Sequence, residues 1–328
     1  MNKFLFIISI CSLILGCSIG ASKSNYNDGI DTEIREEIIQ LDKRIIRALN
    51  NVDRQKLKEL MSQRLIDSLD TNTDEFLKKV GEIISTNDFQ VLGHHHFTNT
   101  SSNINNTAIS GVSSLNDYII SYIALNDEMF VSTLIIDEEY DKFLVTNIYG
   151  KYPDGWKLNI LQFGQYTLYG RTAPEFYEIA KEKYNSGYLI DAANELLMGS
   201  KVKNPANKFW QYRIEDDIKQ LYNKIISEIN SMYNFPEVLD EIESKPKIIN
   251  IYPKEVDEGY FPMIEYVTSV DLKDTVSTKL ENDNIHQRIG SIYEGIDKDK
   301  QFIFYKAFSA MPDGKTPIPT YGFVKELK

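Results

Sequence analysis

Cysteine is nearly absent from this chain: there are two, Cys11 and Cys17, both close to the amino terminus. A disulfide framework, a cysteine-ligated metal and a thiol nucleophile are therefore ruled out for the body of the protein, which must stand on packing alone. Positive charge is also scarce. Lys and Arg number 36 against 48 Asp and Glu, a net charge of −12. A surface this acidic has no electrostatic footprint for nucleic acid and is repelled by an anionic bilayer. No apolar run reaches the ~20 residues that a membrane-spanning helix requires. The sequence has no G-x-S-x-G elbow, no H-E-x-x-H, no P-loop and no G-x-G-x-x-G; Gly111-Val112-Ser113-Ser114 lacks the closing glycine of the first. What is present is the composition of folded domains, with 42% hydrophobic residues and enough Tyr and Phe to argue against disorder.

The amino terminus has the layout of a secretory signal. Lys3 supplies a positive start, mostly apolar residues follow from Phe4 to Leu15, and small Gly16 precedes Cys17. The segment Leu13-Ile14-Leu15-Gly16-Cys17 resembles the lipobox of bacterial lipoproteins, although Leu15 stands where that family more often has a smaller residue. The resemblance implies cleavage before Cys17, a diacylglycerol on its thiol, and a lipid tether to the membrane. A plain secretory signal ending by chance in cysteine is the alternative. Ser18 is not the Asp that marks inner-membrane retention in lipoproteins of two-membrane bacteria, so the resemblance favours the outer membrane. Residues 18–30 are polar and read as a flexible tether with a reach of roughly 20 Å.

Helical pattern begins at Asp31-Thr32, with Ile34, Ile38, Leu41, Ile45 and Leu49 on one stripe. Asp53 caps a second helix and Asn72 or Thr73 a third, so three helices precede any strand. Residues 89–97, 107–113, 117–125, 129–136, 143–152 and 156–169 then read as strands. Tyr152-Pro153-Asp154-Gly155 is a tight-turn sequence that joins the last two in an antiparallel hairpin. Helices followed by antiparallel strands, with Trp156 just after the final turn, make residues 31–170 similar to the NTF2-like α+β fold. That likeness implies a cone-shaped sheet wrapped on a long helix around a pocket; an α+β domain of other topology gives the same order.

Residues 171–245 return to helix. Phe176, Tyr177, Ala180, Tyr184, Gly187, Ala192, Leu196 and Gly199 resemble one tetratricopeptide repeat, and a generic helical hairpin fits equally. A further helix is expected over residues 208–232, with Trp210, Ile214, Ile218, Leu221, Ile225, Ile229 and Met232 as its buried stripe, completing a three-helix bridge. Residues 246–328 predict a small α+β domain: strands at 247–252, 260–270, 301–310 and 321–327 around a helix at 274–293. Pro317 and Pro319 put the last strand at an edge.

His94-His95-His96 is the one histidine cluster. On a strand His94 and His96 share a face, a spacing that can chelate a metal only with a third ligand that nothing here fixes. A solvent-facing or core-lining trio is the ordinary reading, and no metal or cofactor is expected. The chain is thus expected to be an anchored cell-envelope protein acting as a non-enzymatic scaffold or protein-interaction module, with a protein partner in the envelope. The alternative is a small-ligand binding protein whose NTF2-like pocket is lined by His94, His96 and Trp156; an isomerase- or hydrolase-like enzyme in that pocket is the third reading.

Overall fold

The computed structural model describes residues 22–69 and 72–327. The expected lipobox, with Cys17, lies outside the described residues. Within them the fold is α+β with mostly antiparallel sheets.

The first described element corrects the tether. Ser22–Tyr26 forms a strand, β1, antiparallel to residues 95–99, so residues 22–26 are not part of a flexible leash. Its polar sequence gave no strand signal because an edge strand takes its ladder bonds from one neighbour and faces water elsewhere. Helices α1 (Thr32–Asn50), α2 (Arg54–Leu60), α3 (Gln63–Asp67) and α4 (Asn72–Ile83) follow. Of Asp31 and Thr32 it is Asp31 that caps α1, accepting from the Glu33 and Ile34 backbone N–H groups, and Asp53 caps α2 as expected, accepting from the Lys56 backbone N–H. The short α3, capped by Ser62, is additional: at five residues it has too few turns to show a period.

Next come β2 (Gln90–Asn99), β3 (Asn105–Ile109), β4 (Tyr118–Ile123), β5 (Glu128–Asp137), β6 (Lys142–Tyr152) and β7 (Gly155–Gln165). The β6–β7 hairpin turns at Gly155, whose φ of +115° only glycine adopts without strain. One sheet has the order β1-β2-β5-β6-β7. Alternation along β5 sends Phe130, Leu134 and Ile136 into a core shared with α1, α2 and α4. Met129, Val131 and Ile135 go to a second core on the opposite face.

The remaining elements are α5 (Ala173–Asn185), α6 (Leu189–Ser200), β8 (Trp210–Tyr212), α7 (Glu215–Met232), β9 (Glu237–Val238), β10 (Lys247–Val256), β11 (Gly259–Val267), α8 (Thr275–Ile292), β12 (Phe302–Phe308) and β13 (Thr320–Glu326). A capping box between Thr172 and Glu175 starts α5. Thr172→Ala should lower stability by about 1 kcal/mol in urea unfolding; an unchanged midpoint would mean that the box is not formed in solution.

Trp210 is not on a helix. It lies on β8, which pairs with β4 in a separate sheet of order β3-β4-β8, and its indole stacks on Tyr118 at 4.0 Å. The apparent helical stripe ran through it because steps of three and four also occur by chance where a strand abuts a helix. The true stripe of α7 is Ile218, Leu221, Ile225 and Ile229, and Met232 is 61% exposed. The C-terminal sheet has the order β13-β12-β11-β10-β9, with β13 at the edge as Pro317 and Pro319 required. α8 is the crossover between parallel β11 and β12. Helices α5–α7 share one core with this sheet, while Ala173, Phe176 and Met198 belong to the core under the first sheet. Apolar packing is therefore continuous across residues 170 and 245.

Candidate functional site

The histidine strand was the place to look for chemistry, and β2 carries all three rings into the interior: His94, His95 and His96 are 2%, 3% and 9% exposed. Register pairs His94 with Ser132 and His96 with Phe130, so these two share the face that α1 covers. Across from them stands Asp42, fully buried on α1. Its Oδ1 accepts from Tyr149 Oη at 2.6 Å and Asn147 Nδ2 at 2.8 Å, and its Oδ2 from Ser132 Oγ at 2.7 Å. The serine proton is committed to Asp42, so Ser132 Oγ accepts from His94 Nε2 at 3.1 Å, which assigns that hydrogen to Nε2. Burial and the Asp42 charge together hold the Tyr149 phenol well above its ordinary pKa.

Asp, Ser and His thus meet, but in an order that a hydrolase cannot use. In a nucleophilic triad the imidazole sits between acid and serine and the serine oxygen faces substrate. Here the serine is the middle member, is 0% exposed and has both its proton and an acceptor site occupied. The arrangement satisfies buried polar groups and ties α1 to β2, β5 and β6.

His96 Nε2 lies 2.9 Å from Glu128 Oε1, and Trp156 packs edge-on against the His96 ring at 6.0 Å. Trp156 is 3% exposed and packs edge-on against Phe130 at 6.1 Å, in the core that Phe130 and Tyr149 share with α1. The expected ligand pocket lined by His94, His96 and Trp156 is accordingly occupied by side chains. The long helix lies directly on the sheet, and residues that would have faced a ligand face Asp42 and Phe130 instead. His95 points the other way, onto Tyr26 with ring centroids 4.6 Å apart, and its Nε2 has no hydrogen-bond partner. Burial, helped by neighbouring His94, lowers its pKa to about 4. Among the described residues no group of three or more His, Cys, Asp or Glu could hold a metal.

Asp42 could have been found in the sequence: Ile38, Asp42, Ile45 and Leu49 follow one helical face, and an acid in that register is a buried polar group in need of partners. Two surface features had no sequence signal. A cleft of about 910 Å³ opens between α6, residues 297–301 and the β10–β11 turn, where Tyr260 Oη donates to Glu195 Oε2 at 2.6 Å. A shallower groove runs between α8 and β13, with Val276, Leu280 and Val324 exposed at 78%, 61% and 57%. No helix among the described residues is long and apolar enough to cross a membrane. No protein-family model, curated protein or solved structure matches the chain.

Proposed function

We propose that this chain is a lipid-anchored cell-envelope protein that works without catalysis as a scaffold, holding an extended segment of a partner protein at the open edge of its C-terminal sheet. The observation that carries the reading is β13. It is seven residues long, at an edge, mostly exposed, and bordered on α8 by Val276 and Leu280. An edge strand offers a row of unpaired N–H and C=O groups, and an apolar groove beside it takes alternate side chains of an added strand. The chemistry of the histidine face points the same way, since its groups are spent on internal hydrogen bonds.

The anchor is Cys17, because a chain of net charge −12 is repelled by an anionic bilayer and needs lipid to stay there, and Ser18 in place of Asp favours the outer membrane as its site. Residues 31–170 are proposed to be NTF2-like, on the order of their elements and on α1 lying against the five-stranded sheet. The pair α5 and α6 is proposed as a tetratricopeptide-like hairpin which with α7 makes a three-helix bridge.

Two measurements test this. Cys17→Ser should move the protein from the membrane fraction to the soluble one; retention would refute the anchor. Crosslinking in intact cells at native expression should recover a stoichiometric partner, and Val276→Lys with Leu280→Lys should abolish that crosslink while changing stability by no more than about 0.5 kcal/mol for each substitution. Recovery of monomer alone from the unaltered chain would refute the scaffold.

A further inference from the structure

The cleft at α6 is independent of the β13 edge, and its chemistry is more specific. Three residues on one face of α6, Asp191, Asn194 and Glu195, form its floor at the i, i+3, i+4 spacing that brings side chains together. Asp191 is 3% exposed; its Oδ2 accepts from Lys300 Nζ at 2.5 Å, while its Oδ1 is buried with no partner. Asn194 is 6% exposed, and its amide makes no hydrogen bond among the described residues. Glu195 uses one oxygen on Tyr260, whose own oxygen accepts from Arg171 Nη1 at 3.3 Å. Burial raises the pKa of both carboxyls, Asp191 and Glu195. Tyr169, also in the lining, is held by its Oη donating to the Val256 carbonyl at 3.2 Å.

Fixed polar groups left short of partners at the floor of a preformed cavity are the mark of a ligand site, and about 910 Å³ lies at the upper end of the ~300–1,000 Å³ such sites span. Charge decides what kind of ligand fits. An anion would meet Asp191, Glu195, Glu258, Asp297 and Asp299 in the lining, and a cation would meet Arg171 beside Lys183 and Lys300, which already pair with Asp299 and Asp191. A neutral molecule rich in hydroxyls meets neither penalty. It can donate to the carboxylates, exchange hydrogen bonds with Asn194, accept from Arg171, and lay its C–H face against the half-buried Tyr260 ring.

We propose that this cleft is a binding site for a neutral saccharide. Maltotriose, cellotriose and triacetylchitotriose serve as probes in isothermal titration calorimetry on the full chain carrying Cys17→Ser, with spermidine and inorganic phosphate as charged comparators. At least one trisaccharide is expected to bind with a Kd below millimolar. Asn194→Ala and Glu195→Gln, each checked for an unchanged melting curve, should weaken it roughly tenfold, the scale of one lost hydrogen bond to a charged or well-placed group. Val276→Lys with Leu280→Lys should leave it unchanged, which separates this site from the proposed protein-binding edge. Failure of all three saccharides to bind, or binding of spermidine or phosphate in their place, would overturn the proposal.

Discussion

Replacing Asp42 by alanine is expected to lower the stability of the N-terminal region by about 4 kcal/mol or more. The carboxylate is fully buried and accepts from Tyr149, Asn147 and Ser132. Truncation strands three buried donors, and an unsatisfied buried donor costs about 1–3 kcal/mol. His94 is affected as well, because the Ser132 hydroxyl that it donates to is held in place by Asp42. Asp42→Asn should cost about half as much: its amide oxygen still accepts from Tyr149 and Asn147, and only the bond to Ser132 is reversed or lost. Urea unfolding of the two variants, followed by circular dichroism, checks both values. A loss below about 1 kcal/mol for Asp42→Ala would mean that water replaces the carboxylate and that the network contributes little.

Acid should destabilise the protein through His95, by up to about 3 kcal/mol. The ring is packed on Tyr26 and Phe97 and its folded pKa is lowered to about 4, from 6.5 in the unfolded chain. Above pH 6.5 it is neutral in both states and contributes no pH dependence. As the pH falls from 6.5 towards 4 the unfolded state takes up a proton that the folded state refuses, so stability falls across that window and levels off below it. His95→Phe keeps the ring stacking, removes the unpartnered Nε2, and should flatten the stability profile between pH 6.5 and 4. Carboxylates with lowered pKa, such as Asp53 and Asp274, lose their contribution at lower pH and are common to both proteins. Parallel profiles for the variant and the unaltered chain would show that His95 is solvated in solution.

Much of the element order was legible because its causes are local. Asp31 and Asp53 cap helices through bonds to residues two or three positions on, and Pro153-Asp154-Gly155 turns a hairpin whose strands are adjacent in sequence. Strands β10 to β13 were equally readable, as β-rich runs between turn residues, whereas the two-residue β9 was too short to give a signal. Trp210 was misplaced for the opposite reason. Its position is decided by β4, ninety residues earlier in the chain, whose open edge takes residues 210–212 as a third strand. β1 was missed likewise, because its polar residues are ordered by the edge of β2.

The histidine face shows the same division at the level of chemistry. Spacing alone established that His94 and His96 share a side of a strand and that His95 takes the other. It could not say what stands opposite. The bonds that occupy the face join residues 90, 105 and 107 positions apart, Asp42 to Ser132, Asn147 and Tyr149. No periodicity carries information over such separations.

By itself, then, the sequence determined the α+β class, the acidic surface, the absence of disulfide chemistry beyond the leading segment and the resemblance of Cys17 to a lipidation site, because each follows from composition or from neighbours along the chain. Only the tertiary structure decided that the expected pocket is filled by Phe130 and Tyr149, that β3 and β4 leave the main sheet for β8, and that a polar cleft opens between α6 and the β10–β11 turn. Those outcomes depend on which distant surfaces meet. That is settled by burying apolar area and pairing buried polar groups across the whole molecule, and not by any one segment's preference.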